Sequence, residues 1–255
     1  MFTPEGPTLR ELAVQALSSV EAGYDLLAPK FDATPFRTPD RMLDAVEEAL
    51  TGAFDARDSA RIADGLDLCC GTGAGIPLLR RLCRESVTGV DLSAGMLAEA
   101  ARTHAPADPG RPAAGPAVSF VRADARALPP SLHGRHDLAV SFGAFGHFLP
   151  AERPALFAGV RAALRPDGLF AFPIGAPLSP RRPVWWAVAG FDAAMRVRNA
   201  VRRPPFVMYY RTFPLGPVSR DLEAAGFRVG TVPLPRFGRR PDGSPHWRLV
   251  LARAA

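Results

Sequence analysis

Residues 62–76 read Ile-Ala-Asp-Gly-Leu-Asp-Leu-Cys-Cys-Gly-Thr-Gly-Ala-Gly-Ile, and the reading of this stretch decides the fold. Leu66 and Leu68 suit a buried strand. Three glycines, Gly71, Gly73 and Gly75, then turn the chain into the helix-period run Ile76-Pro-Leu-Leu-Arg-Arg-Leu. By this order of strand, glycine turn and helix, a doubly wound α/β sheet sets bare backbone and a helix N-terminus against a nucleotide-like ligand. Asp91 closes a second strand-like run about 20 residues later, the offset at which a carboxylate takes ribose hydroxyls.

Working outward, Ser86 to Asp91 is the second predicted strand, and Ser93 caps a helix running to about His104. Residues 105–116 hold four prolines and two glycines and predict a surface loop. Val118 to Val121 alternates in polarity and leads to Asp124, giving a third strand; His136 to Phe142 gives a fourth. A helix over Ala151–Leu164 and a fifth strand over Gly168–Ile174 follow. Upstream, Leu9, Leu12, Val14, Leu17 and Val20 recur at helical spacing, and Thr38-Pro39 reads as the N-cap and first residue of a helix reaching about Phe54. Strands alternating with helices imply a parallel sheet covered on both faces.

The last third breaks this rhythm. Residues 183–203 have helical period, with Val184, Val188, Phe191 and Met195 on one face, Trp185 and Trp186 near the start and Arg196, Arg198, Arg202 and Arg203 toward the end. We expect a lid inserted after the fifth strand, with a membrane-surface helix as the rival reading. A helix over Pro217–Gly226 follows. Phe227-Arg-Val-Gly-Thr-Val and His246-Trp-Arg-Leu-Val-Leu-Ala then form a closing antiparallel pair. The expected architecture is an α/β, Rossmann-like doubly wound sheet of seven strands, mostly parallel with an antiparallel terminal hairpin. It forms one domain over 1–255: a helical N-terminal cap (1–55), a core (60–175), a lid (176–215) and a closing segment (216–255).

Composition fits a globular chain. The 255 residues are 47% hydrophobic and 22% charged, with no apolar run long enough to span a bilayer and no basic-then-apolar start resembling a signal peptide. Cys69, Cys70 and Cys83 lack both disulfide-framework and zinc spacing, so reduced thiols, a cytoplasmic location and no metal are expected. Net charge is about −4 over 1–172 (17 basic, 21 acidic) and +10 over 173–255 (14 basic, 4 acidic). The basic third is consistent with a solvated face, an anionic substrate, an acidic partner or a membrane surface.

Asp67-Leu68-Cys69-Cys70-Gly71-Thr72-Gly73 resembles the first motif of class I S-adenosylmethionine-dependent methyltransferases, and Val90-Asp91-Leu92-Ser93-Ala94-Gly95-Met96-Leu97 resembles the second. The likeness continues through Arg122-Ala123-Asp124-Ala125 and Leu164-Arg165-Pro166-Asp167-Gly168-Leu169, covering roughly residues 60–175. One position departs: the family's first glycine is Cys69 here, which implies a tighter contact with the cofactor.

The resemblance implies S-adenosyl-L-methionine as cofactor and a set of roles. Gly71 and Gly73 remove β-carbons where backbone meets the ligand. Asp91 accepts ribose hydroxyls, Leu92 and Met96 wall the adenine, and Asp124 accepts from the adenine amino group beside Ala125. Asp67 orders the loop through backbone N–H groups, while carbonyls near Cys69 and Phe142 meet the ammonium. Tyr24 and Phe31, each in an aromatic–Asp pair, shield the sulfonium from the N-terminal cap. His147, behind the fourth strand, is the candidate base, and Tyr209, Tyr210 and Arg211 line the acceptor pocket or pack the lid.

Absences narrow the reaction. Ser141-Phe142-Gly143-Ala144 stands where amino-methylating enzymes of adenine or glutamine carry an Asp/Asn-Pro-Pro-aromatic motif. No cysteine follows the fourth or fifth strand, which argues against covalent attack on a pyrimidine. The expected activity is methyl transfer to a small-molecule acceptor, at oxygen, in a secondary-metabolite or quinone-type pathway. Alternatives are an RNA-modifying methyltransferase using the basic third, an NAD-dependent oxidoreductase, and a binding protein without turnover. DNA is not an expected partner.

Overall fold

The computed structural model describes residues 6–54, 62–104 and 115–255; most of the predicted loop over 105–116 lies outside them. The stretch around the glycines is the centre of the sheet. β1 (Asp64–Leu68) pairs in parallel with β2 (Ser86–Asp91) on one side and β4 (His136–Val140) on the other. β3 (Ala117–Arg122) lies beyond β2, and β5 (Leu164–Gly175) beyond β4, both parallel. β7 (Trp247–Ala254) then runs antiparallel between β5 and β6 (Phe227–Pro233). The order β3-β2-β1-β4-β5-β7-β6 is the predicted seven-stranded sheet with its antiparallel terminal pair. Because the chain builds outward from β1 to β3 and then returns to β4, the crevice between β1 and β4 is a topological switch point, where open α/β sheets bind ligands.

Helices cover both faces. α3 (Asp40–Ala53) and α4 (Ile76–Leu82) bury Val46, Leu50, Ile76 and Leu79 against Val87, Leu138, Val140 and Leu249. On the other face, α6 (Arg153–Ala163) and α8 (Leu215–Ala224) bury Phe157, Val160, Val218 and Leu222 against Leu66, Leu68, Phe170 and Phe172. Successive strand residues divide between the two cores, Leu138 and Val140 facing one and Ala139 the other, as the two-residue period requires. β4 and β5 carry the continuous apolar runs Leu138-Ala-Val and Leu169-Phe-Ala-Phe, whose residues are buried on both faces of the sheet. Each large side chain buried this way contributes roughly 1.5–3 kcal/mol.

Two expectations are corrected. The N-terminal helix predicted over 9–20 is two helices, α1 (Leu9–Leu17) and α2 (Val20–Leu27). The Ser18 hydroxyl donates to the Val14 carbonyl and Ser19 accepts from the Ala22 N–H, so two short polar side chains end one helix and start the next. The helix predicted to begin at Pro39 begins at Asp40, with Pro39 itself, ψ 142°, as the N-cap. The stretch with helical period over 183–203 is α7 (Pro183–Val201). Of the residues on its predicted apolar face Met195 is buried and Val188 half-buried, whereas Val184 and Phe191 are exposed. The buried Asp192 fixes which side faces inward, accepting from the Tyr210 N–H at 2.9 Å and pairing with Arg211 Nε at 3.0 Å. Among the described residues, no helix is long and apolar enough to cross a membrane.

Candidate functional site

The turn after β1 carries three residues in the left-handed region: Cys69 (φ 56°), Gly71 (φ 54°) and Gly73 (φ 86°). Glycine adopts that region freely, and a residue with a β-carbon is strained there by roughly 1–2 kcal/mol. Cys69 therefore occupies a backbone position that favours glycine. We expect Cys69→Gly to raise thermal stability by a few degrees, read as the melting temperature; an unchanged or lower value would place the strain elsewhere. At Gly71 an added Cβ would meet nothing within 4 Å, leaving open space above the backbone. Gly73 is required on two counts: besides its φ, a Cβ there would stand 2.6 Å from Nε2 of His104, at the end of α5 (Ala94–His104).

Asp91, at the end of β2, holds this turn. Its Oδ2 accepts the Gly71 N–H at 2.9 Å and its Oδ1 accepts the Ser93 N–H at 2.9 Å, so one carboxylate joins the loops after β1 and β2. Burial pushes its pKa up, and the backbone N–H groups partly hold it down. Asp67 projects to the opposite side of β1 from Leu66 and Leu68 and is fully buried under Gly75. Burial first, then the charge of Asp91, lifts its pKa to about 8, with the Gly75 N–H opposing. Its Oδ2 has no hydrogen-bond partner, so the contact of Asp67 with the loop runs through the Gly75 N–H.

The remaining cofactor candidates divide. Phe142 is buried with its ring beside Gly75 and Asp67, on the floor of the turn. Leu92 is 36% exposed at the rim, whereas Met96 is fully buried with its N–H on the Ser93 hydroxyl. Ala125 is in the core. Asp124 is ion-paired with Arg126, whose side chain and backbone N–H hold its carboxyl below the usual range. Its oxygens are thus shared with an arginine that the sequence reading did not connect to it.

The N-terminal cap is fastened across the turn by two aspartates. Oδ1 of Asp25 accepts the Ser93 hydroxyl at 2.5 Å and the Gly95 N–H at 2.8 Å; a Cβ on Gly95 would meet the Asp25 backbone at 3.0 Å. Asp32 Oδ1 accepts the Thr72 hydroxyl at 2.7 Å. The sequence reading selected Tyr24 and Phe31 and passed over these clamps. The signal was present, since an aspartate directly follows each aromatic.

Between cap and sheet lie the aromatic groups. The Tyr24 ring is 6.0 Å from Phe31 and 5.2 Å from His147, centroid to centroid. The Tyr24 hydroxyl is 2.7 Å from His147 Nε2, and His147 Nδ1 is 2.6 Å from the Val207 carbonyl. A carbonyl only accepts, so Nδ1 carries the proton and Nε2 receives the tyrosine O–H. Burial lowers the His147 pKa and raises that of Tyr24, so both are neutral at physiological pH. The sequence placed His147 at this strand edge but gave no sign of its partners, which come from 123 and 60 residues away.

Tyr209, Tyr210 and Arg211 follow α7 in the lid. Tyr209 is buried with Met195 and Phe206, its hydroxyl accepting from Asn199 at 2.9 Å. Arg211 pairs with Asp192 and stands over the Trp185 ring at 5.0 Å. Tyr210 is exposed, its ring 5.4 Å from Phe191. Asp192 and Asn199 supply polar partners the sequence pattern did not connect to them, and the Tyr209 N–H also donates to the Gly146 carbonyl, beside His147, at 2.8 Å.

A methyltransferase-domain family model matches residues 66–168, the span from β1 through β5's first half. No curated protein matches the chain. Among solved structures, it is similar to a DhpI complex with S-adenosylhomocysteine (20% identity, 97% of this chain and 99% of that one, TM-score 0.59). It is also similar to an O-methyltransferase family protein from Burkholderia thailandensis (17%, 96% and 68%, TM-score 0.61). A third is 1,6-didemethyltoxoflavin-N1-methyltransferase from the same organism, with its acceptor and S-adenosylhomocysteine bound (21%, 98% and 91%, TM-score 0.57). At such identities the likeness is one of fold.

Proposed function

We propose an acceptor and a mechanism from the premise that this chain carries a class I S-adenosylmethionine-dependent methyltransferase domain, with S-adenosylmethionine as methyl donor and a small molecule as acceptor. The oxidoreductase alternative is set aside by that family match and by the antiparallel terminal pair. Two observations fit the donor to the turn after β1: the open space over the Gly71 backbone, and the buried, unpartnered Asp67 Oδ2, whose carboxyl a bound cationic group would return to its ionised, accepting form. Gly71 would give the donor bare backbone, Asp91 its ribose contact, and Tyr24 and Phe31 a dry apolar cover, while Gly73 lets the turn pass beneath His104. When bound, the donor supplies an activated methyl group on a sulfonium.

The acceptor nucleophile is an oxygen, and the observation that carries this is the Tyr24–His147 hydrogen bond. An amine in its free-base form needs no proton removed before attack, whereas a hydroxyl does. The acceptor O–H donates to the Tyr24 oxygen as the tyrosine proton passes to His147 Nε2. The imidazolium so formed keeps its Nδ1–H on the Val207 carbonyl. Tyr24 is the group placed to touch the acceptor, and His147 is the proton reservoir behind it. The clamps from Asp25 and Asp32 exclude water, and positioning supplies much of the acceleration. A secondary-metabolite or quinone-type acceptor is the pathway reading we favour.

The test is methyl transfer from label-bearing S-adenosylmethionine to phenols, hydroxy acids, amines and total RNA, with products identified by mass spectrometry. An O-methyl product supports the reading. Label only on nitrogen, or on RNA, overturns it. The rate with an oxygen acceptor should lose activity on the acid side only below pH 6.5, since burial disfavours charged His147. It should show no alkaline loss from Tyr24 up to pH 10, since burial holds that hydroxyl protonated.

A further inference from the structure

α7 is packed on one side only. Its inner side seats Asp192 and Met195, but its outer side carries Trp186, Gly190, Ala194, Val197 and Val201 with no charged or polar residue among them. Trp186 is 65% exposed, Val197 64% and Val201 78%. Isolated exposed apolar residues are ordinary, but a continuous stripe along about four turns of helix marks a contact surface. Four exposed arginines bracket it, Arg181 and Arg182 before the helix and Arg202 and Arg203 after it, and none has an ion pair among the described residues.

We propose that this outer face docks on the surface of an anionic lipid bilayer. An apolar stripe with a tryptophan and cations at its margins is the arrangement of a helix lying in the headgroup plane, aliphatic side down and guanidinium groups among the phosphates. Charge argues against a second copy as the occupant. Two such faces brought together place eight arginines at one interface, and residues 173–255 offer only four acids, of which Asp192 is buried on the opposite side. An anionic bilayer supplies both the apolar layer and the counter-charge. This inference does not depend on the acceptor or on the proton path, because the face lies outside the cap and the turn.

The experiment is co-sedimentation of the full chain with phosphatidylcholine vesicles, with and without about one-third phosphatidylglycerol, alongside light-scattering mass measurement. The full chain is expected to pellet with the anionic vesicles and to be released by salt. Val197→Glu/Val201→Glu should weaken this by about tenfold or more through loss of apolar contact. Arg202→Gln/Arg203→Gln should cost about fivefold per arginine at low salt. S-adenosylhomocysteine affinity measured in the same variants reports that they are folded. Failure to pellet with anionic vesicles at low salt overturns the proposal, as does undiminished pelleting of Val197→Glu/Val201→Glu. So does a dimeric wild type that this double variant turns into monomer, since a second copy would then cover the face.

Discussion

Asp91→Asn is expected to lower affinity for S-adenosylhomocysteine by about 100-fold or more, because removing a carboxylate from two charge-assisted hydrogen bonds costs ~1.5–3 kcal/mol for each. The loss has two sources that the structure separates. One is the proposed ribose contact. The other is the turn itself, since Asp91 accepts the Gly71 and Ser93 N–H groups and holds the two loops together. An asparagine oxygen can keep one of these bonds and presents N–H groups to the other donor, so the turn opens on one side. Calorimetry gives the affinity and a thermal melt gives the loop contribution. Unchanged affinity would remove Asp91 from the binding site and leave it a loop tie.

Tyr24→Phe and His147→Ala are each expected to lower kcat by about 10²–10³-fold, the range for loss of a positioned proton-transfer group, with S-adenosylhomocysteine affinity changed far less. The two losses should not add, because the proton passes through both groups in series. Tyr24→Phe is the sharper test. It keeps the ring against Phe31 and removes only the hydroxyl on His147. Were the pair a strut between cap and sheet, Tyr24→Phe would lower the melting temperature and leave kcat in place. A full kcat in either variant, at saturating acceptor, ends the relay mechanism.

What the sequence made legible, and what it hid, follows from the range of the forces involved. The glycine turn, the strand order outward from β1 and the terminal hairpin are written in local period and turn chemistry. They were readable from Leu66-Asp-Leu and the glycines at 71, 73 and 75. Cys69 was visible as a departure, but only its φ of 56° gives the departure a physical meaning. The clamps of Asp25 on Ser93 and Asp32 on Thr72 span 68 and 40 residues, and no local pattern announces such pairs. Which side of α7 faces inward was not legible, because both of its sides are apolar. A single buried carboxylate, Asp192, decided it where hydrophobic period did not. The partners of Tyr209 and Arg211, Asn199 and Asp192, are likewise chosen by the fold and not by local pattern.

The central claim is that the turn after β1, tied by Asp91 and covered by the cap, binds the adenosyl donor. Titration calorimetry of the purified chain with S-adenosylhomocysteine, and separately with NADH, tests it most directly. The account predicts saturable heat at one site per chain with the thioether and none with the dinucleotide. No heat with S-adenosylhomocysteine, together with saturable binding of NADH, would contradict it.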